Sequence, residues 1–210
     1  MSKAQRTHYS LGKETGIGMV EILVSLFVLT IGLLGVASLQ FTGTFNNVQA
    51  ASRSQAELVA RYVSEQMVSA AQPAQADDGW EVDDAFFNAD FFNFETLTCN
   101  DSNLYQCYCL TLPATVPNCR TGNCSSAEIA EYSGWEASCQ AVGSNPNMRI
   151  SVNCNDRDNG DAKACSSGSL VTIAVSWPLK ADSQTNIAND SRCAIGADAN
   201  RACVVKEVTL

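Results

Sequence analysis

The feature that most constrains this chain is an apolar run from Ile17 to Leu39 in which Glu21 is the only charged residue. At a rise of about 1.5 Å per residue, such a run forms a helix of roughly 34 Å, which is long enough to cross a bilayer core. The segment 1–16 before it carries three basic residues and one acidic residue. Because positive flanking charge remains in the cytoplasm, the sequence predicts a single-pass membrane protein whose C-terminal part lies outside the cytoplasm.

The start of the apolar run resembles the processing site of type IV prepilins. In that family a basic leader ends in glycine, the first mature residue is hydrophobic and the fifth is a carboxylate. Here these are Gly16, Ile17 and Glu21. The stretch 29–40, with its Ile-Gly-Leu-Leu-Gly sequence, is similar to the first helix of the PilV group of minor pilins.

The resemblance implies that prepilin peptidase removes the leader 1–16 and methylates the new amine of Ile17. A glycine before the cut leaves the peptidase room to reach the backbone. It also implies an α+β fold in which a long transmembrane/amphipathic helix packs on an antiparallel β-sheet with cysteine-rich loops. The expected parts are a membrane half 17–39, a periplasmic half 40–72 and a globular pilin domain 73–210. The alternative is an ordinary secretory signal peptide, cleaved after Ala37 at a small-residue site.

Glu21 is the residue in the span that needs an explanation, because a carboxylate inside a bilayer costs about 2.5 kcal/mol or more. The resemblance implies that Glu21 meets the N-terminal amine of Ile17 in a neighbouring subunit during assembly. The alternative is that Glu21 lies close enough to the membrane interface to be hydrated and has no specific partner.

Apolar residues at helical spacing extend the predicted helix to Gln72 and form the face expected to pack on a sheet. They are Phe41, Phe45, Val48, Ala56, Leu58, Val59, Tyr62, Val63, Met67 and Ala70. Alternating residues predict strands at 148–152, 171–177 and 204–210. A capping signal at Ser125 and Glu128 predicts a short helix over 125–132.

All of the cysteines follow the span, and their even number in an exported domain predicts disulfides whose pairing stays open. They are Cys99, Cys107, Cys109, Cys119, Cys124, Cys139, Cys154, Cys165, Cys193 and Cys203. A metal site is disfavoured because histidine is absent after His8 and no paired C-x-x-C set occurs. Thiol redox chemistry at Cys107 and Cys109 lacks a neighbouring base. The acidic stretch 156–161 fails the EF-hand spacing and is interpreted as a turn rather than a calcium loop.

The segment after Pro73 is acidic, and no lysine or arginine occurs between Arg61 and Arg120. Six large aromatic residues lie between positions 80 and 94, which is too many to leave in water. They form either a partner surface or, as we favour, a loop held in place by its own aromatic side chains.

Catalysis finds no support in the sequence, since the mature chain would hold no histidine for a triad and no marked pair of carboxylates. Without the leader the chain carries 10 basic and 21 acidic residues, a net charge of −11, which disfavours nucleic-acid binding. We therefore expect no cofactor, no metal and no enzymatic activity. The resemblance implies a structural minor pilin of the inner membrane and pilus, with prepilin peptidase, the other minor pilins, the major pilin and a tip adhesin as partners. The alternatives are a type II secretion pseudopilin and a tip-borne adhesive binding module.

Overall fold

The protein is described from a computed structural model, which covers residues 18–74, 79–99, 103–158, 160–179, 193 and 201–209. The predicted leader 1–16, with its Gly16, and the predicted first mature residue Ile17 lie outside the described residues. The chain divides into two compact units, 1–47 and 48–210. Helix α1, Met19–Ala70, contributes residues to both units.

The first unit contains the N-terminal part of α1, in which every side chain from Met19 to Leu39 is exposed. Among the residues that the structure describes, α1 is the one helix long and apolar enough to cross a membrane. A helix that leaves an apolar surface uncovered on all sides is typical of a segment that lipid surrounds. Length and composition therefore agree with the predicted span.

The second unit holds the remaining elements, which follow one another in chain order. They are a short hairpin of β1 (Gln72–Pro73) and β2 (Trp80–Glu81), 3₁₀ turns at Asp84–Phe87 and Ala89–Phe91, α2 (Leu104–Tyr108), α3 (Ser126–Ser144), β3 (Arg149–Asn155), β4 (Leu170–Pro178) and β5 (Arg201–Thr209). The last three strands form one antiparallel sheet in the order β3-β4-β5. In its register Ile150 lies opposite Val175, which in turn lies opposite Val204. The protein is thus of the α+β class, as predicted.

The main core of the second unit is formed by one face of α1 and one face of the sheet. Ala56, Val59, Val63 and Met67 are buried in the same cluster as the alternating sheet residues. On the sheet side that cluster contains Ile150, Val152, Val171, Ile173, Val175 and Trp177. The predicted packing of the outer helix on the sheet is therefore confirmed from Ala56 onward.

Four members of the predicted helical stripe, Phe41, Phe45, Val48 and Leu58, do not belong to this core. Phe41, Val48 and Leu58 are all more than half exposed. Leu58 lies between the buried Ala56 and Val59, but the helical turn of about 100° per residue carries it to the opposite face. Spacing alone included Leu58 in too wide a stripe, and that part of the prediction is wrong.

Helix α3 begins as predicted, with a complete capping box. The Ser125 hydroxyl accepts from the Glu128 nitrogen at 3.4 Å, and a Glu128 carboxylate oxygen accepts from the Ser125 nitrogen at 2.8 Å. The helix then runs for 19 residues, so the prediction of a short helix is wrong. The longer helix is stabilised by tertiary packing, because its second half buries Ala137, Ala141 and Val142.

Five disulfides join all ten cysteines, which confirms the prediction that they are paired. The pairs are Cys99–Cys107, Cys109–Cys139, Cys119–Cys124, Cys154–Cys165 and Cys193–Cys203. Cys107, Cys109, Cys119 and Cys139 pack against a second apolar cluster. That cluster contains Phe94, Tyr108, Val116, Tyr132, Trp135 and Val142. Cys109–Cys139 thus fastens this part of the chain to α3, while Cys99–Cys107 and Cys119–Cys124 close shorter loops within it.

Candidate functional site

Glu21 lies in the first turn of α1, where its backbone nitrogen donates to the Gly18 carbonyl oxygen at 2.9 Å. Its side chain makes no hydrogen bond or ion pair with any described residue. A carboxylate near a helix N-terminus is stabilised by the helix dipole, but only by some tenths of a kcal/mol to about 1 kcal/mol. This is less than the cost of holding the charge in lipid. Among the described residues, none therefore neutralises the Glu21 carboxylate.

The aromatic residues of the acidic segment pack on their own domain. Phe86, Phe92 and Phe94 are 2%, 3% and 7% exposed, whereas Trp80 is 56% exposed. The backbone around them is shaped by polar caps, in which Asp83 accepts from the Ala85 nitrogen and Asn88 from the Asp90 nitrogen. The favoured interpretation, a loop held in place by its own aromatic side chains, agrees with this packing, and only Trp80 is left largely in water.

The end of this segment is held in an unusual backbone conformation. Asn93 and Phe94 have φ values of 57° and 63°, in the left-handed region that bulky residues rarely adopt. The Asn93 nitrogen donates to the Ser138 hydroxyl of α3 at 2.8 Å. Gly134, also in α3, is required here because a Cβ at that position would lie 2.6 Å from the Phe91 carbonyl oxygen. Close packing on α3 therefore fixes the position of Phe94.

A pocket of about 120 Å³ opens beside this clamped turn. We call it the acidic pocket, and its lining includes Phe91, Phe94, Trp135 and the acidic residues Asp90 and Glu131. Burial, aided by repulsion from Glu128, raises the pKa of the Glu131 carboxyl above its ordinary value. No sequence pattern indicated this pocket, because Glu131 approaches the aromatic residues only through the packing of α3 on the turn.

A larger groove of about 490 Å³ lies on the other side of Trp135, lined by Arg120, Glu136 and Tyr105 among others. Its charges are already paired. Glu136 accepts from the Tyr62 hydroxyl at 2.6 Å and from the Arg120 guanidinium at 2.9 Å. Burial, together with the hydrogen bond to Glu136, raises the pKa of Tyr62 above its ordinary value. This network joins α1, α3 and the Cys119–Cys124 loop and has a structural role.

Asp156, the first carboxylate of the acidic stretch, accepts hydrogen bonds from the protein itself. The Asp156 Oδ1 accepts from the Ser166 nitrogen at 2.9 Å and from the Ser169 hydroxyl at 3.0 Å. These bonds, the one from the Ser166 nitrogen above all, lower the pKa of Asp156 to about 2. Among the residues that the structure describes, no group of three or more histidine, cysteine or acidic side chains is arranged to hold a metal ion.

Comparison with family models, with curated proteins and with solved structures gives no match to this chain.

Proposed function

We propose that the chain is a minor pilin of a type IV pilus, of the PilV type. In this proposal prepilin peptidase cleaves after Gly16, Ile17 becomes the mature N-terminus, and the apolar part of α1 holds the subunit in the inner membrane until it enters a filament. The role is structural, with the disulfide-bonded unit in the periplasm and then on the pilus.

The observation that carries the proposal is that α1 has two different surfaces along its length. Residues 19–39 expose an apolar surface on every side, and the same helix buries Ala56, Val59, Val63 and Met67 in a disulfide-bonded domain. A signal peptide is removed by cleavage, so its helix does not have to continue into the core of the mature domain. A subunit that uses one helix both as membrane anchor and as domain core is the arrangement that the pilin resemblance implies.

The lone carboxylate supports the same proposal. Glu21 has no partner among the described residues, and retaining an unpaired charge in lipid is costly. A free amine at Ile17 of a neighbouring subunit supplies the missing counter-charge inside an assembled helix bundle. The pairing lowers the cost of burying both groups, and it forms only when subunits are aligned.

The disulfides fit a subunit that is exposed on a filament outside the cell. Five bridges restrict the unfolded chain of a unit that has large polar loops, a short hairpin and one three-stranded sheet. Such a domain withstands conditions outside the oxidising compartment in which it folds. We place it in the complex of minor pilins that starts pilus assembly, and at the pilus tip.

The test is a deletion strain complemented with the wild-type chain, with Glu21→Ala or with Glu57→Ala. Glu57 is an exposed carboxylate on the outer part of α1, so its replacement is a matched control for loss of one charge on the same helix. We expect deletion to reduce the number of surface pili, Glu57→Ala to restore it, and Glu21→Ala to be processed but not incorporated.

Two results would contradict the proposal. Normal pilus number in the deletion strain, together with the wild-type chain present in sheared filaments of the complemented strain, would favour the adhesive binding module. Loss of protein secretion with unchanged pili would favour the type II secretion pseudopilin.

A further inference from the structure

The acidic pocket places acidic residues beside aromatic ones. Its lining includes the apolar and aromatic residues Phe91, Phe94, Val116 and Trp135, the polar Thr96 and Thr115, and two acidic residues, Asp90 and Glu131. Neither carboxylate makes a hydrogen bond or an ion pair with any residue that the structure describes. The pocket thus combines an apolar interior with unneutralised negative charge.

The chain supplies no cation for this pocket from nearby in sequence. No lysine or arginine lies between Arg61 and Arg120. The guanidinium of Arg120 is held by Glu136 and by the hydroxyl of Tyr132, away from the pocket lining. Burial without a neighbouring cation disfavours the charged form of a carboxylate. The raised pKa of Glu131 reflects this effect.

We infer that the acidic pocket binds the side chain of a lysine presented by a protein partner. A lysine side chain has an apolar stem of four methylenes and an ammonium at its end, and such stems pack along apolar surface while the charge meets an acid. A water needs about 10–15 Å³ of such space, so a pocket of about 120 Å³ has room for a four-methylene stem.

Lysine is favoured over other occupants by the charge and shape of the pocket. Aromatic rings attract an ammonium through their negative faces, and a carboxylate forms a charge-assisted hydrogen bond with it. An anionic partner is opposed by Asp90 and Glu131 and by the net charge of the whole chain, −9. The wider planar guanidinium of arginine suits bidentate pairing on an open surface better than a narrow pocket.

The clamped turn gives the pocket a preformed shape. Phe94 is fixed by its left-handed backbone, by its stacking on Tyr108 at a ring distance of 4.9 Å and by the contact of Phe91 with Gly134. A preformed pocket loses less binding free energy to the ordering of side chains. The inference goes beyond the proposed function and does not depend on it, since the pocket lies wholly within the second unit.

The experiment uses the full chain in detergent micelles and follows backbone amide signals by NMR. The probe is Nα-acetyl-lysine methylamide, and the matched probe is Nα-acetyl-norleucine methylamide, which keeps an aliphatic stem but lacks the ammonium. We expect the lysine probe to shift the amides of Thr96, Leu97 and Glu131 saturably, at a concentration of about 1 mM. The norleucine probe is expected to give no saturable shift.

Two variants complete the test. Glu131→Gln should raise the half-saturating concentration about tenfold, because it removes one charge-assisted bond. Glu57→Gln, which removes an exposed carboxylate outside the pocket, should leave it unchanged. Equal binding of the two probes, wild-type binding by Glu131→Gln, or no saturable shift with the lysine probe would each overturn the inference. Each of these results would leave the pilin proposal intact, because that proposal is tested by pilus number and by the Glu21 variant.

Discussion

The side-chain amide of Asn93 bonds both backbone groups of Ile150, with its Oδ1 2.8 Å from the Ile150 nitrogen and its Nδ2 2.9 Å from the Ile150 carbonyl oxygen. Ile150 belongs to β3, an edge strand of the sheet β3-β4-β5. One side chain therefore supplies the pairing that a further strand would give at this position, and it satisfies polar groups that would otherwise be orphaned beside the core.

Replacing Asn93 tests how far this contact holds the turn in place. We expect Asn93→Ala to lower the free energy of unfolding by about 3 kcal/mol, because two hydrogen bonds are lost and their partners on Ile150 remain near the core. Asn93→Gly is the control. Glycine also loses the two hydrogen bonds, but it adopts the left-handed backbone conformation without the steric cost of about 1 kcal/mol that a residue with a Cβ bears. Urea unfolding in detergent micelles measures both, and equal stability of Asn93→Ala and wild type would contradict this account.

The five disulfides should differ in what they contribute, because they close loops of different length. Cys109–Cys139 spans 30 residues and Cys119–Cys124 spans 5. Loop-closure entropy gives about 3.6 kcal/mol for the long loop and about 2 kcal/mol for the short one. Paired serine replacements of each bridge, compared by thermal unfolding, should show the larger loss for Cys109 and Cys139. The opposite order would mean that the entropy of the unfolded chain does not decide how much each bridge stabilises the fold.

Glu131→Gln should stabilise the free protein at neutral pH. The folded state raises the pKa of Glu131, so its stabilising contribution is fully present below the ordinary glutamate value and is lost as pH rises through the folded pKa. Glutamine has no carboxyl group to ionise, so the variant does not lose this stability as pH rises. We expect a higher melting temperature for the variant at pH 7 and a difference that vanishes as pH falls below the ordinary value of 4.5. A lower melting temperature at pH 7 would show that the carboxylate has an internal cation.

Asp156 should show the opposite pH dependence. Its pKa is lowered to about 2 from an ordinary 3.8, so it stabilises the fold above the ordinary value and the contribution is lost as pH falls through the folded one. We expect Asp156→Asn, which keeps an acceptor at Oδ1, to be less stable than wild type at pH 7. The gap should close between about pH 4 and pH 2, and a gap of constant size over that range would contradict the assignment.

The sequence predicted those parts of the fold that depend on local periodicity. Strands β3 and β4 were found because Ile150 and Val152, and then Val171, Ile173 and Val175, alternate with residues of the other face. Helix α1 was found from its apolar run, and its packing from the recurrence of Ala56, Val59 and Val63.

What the sequence did not predict depends on contacts between distant residues. The bond of Asn93 to Ile150 joins residues 57 apart, and Gly134 admits Phe91 only because α3 lies against the turn. Neither contact produces a periodic pattern in the amino-acid sequence. The pairing of Cys109 with Cys139 is of the same kind, since ten cysteines at irregular spacing permit many pairings. Of the candidate sites, Glu21 was predicted from its position in the apolar run, while the acidic pocket was not.

The measurement that tests the central claim most directly is the intact mass and N-terminal sequence of the protein isolated from native membranes. The account predicts a chain that begins at Ile17 with a methylated amine, which keeps Glu21 and the whole of α1 in the mature subunit. A chain that begins at Ser38 would contradict it, because cleavage there removes Glu21 and the membrane anchor and leaves a secreted domain that has no means of entering a pilus.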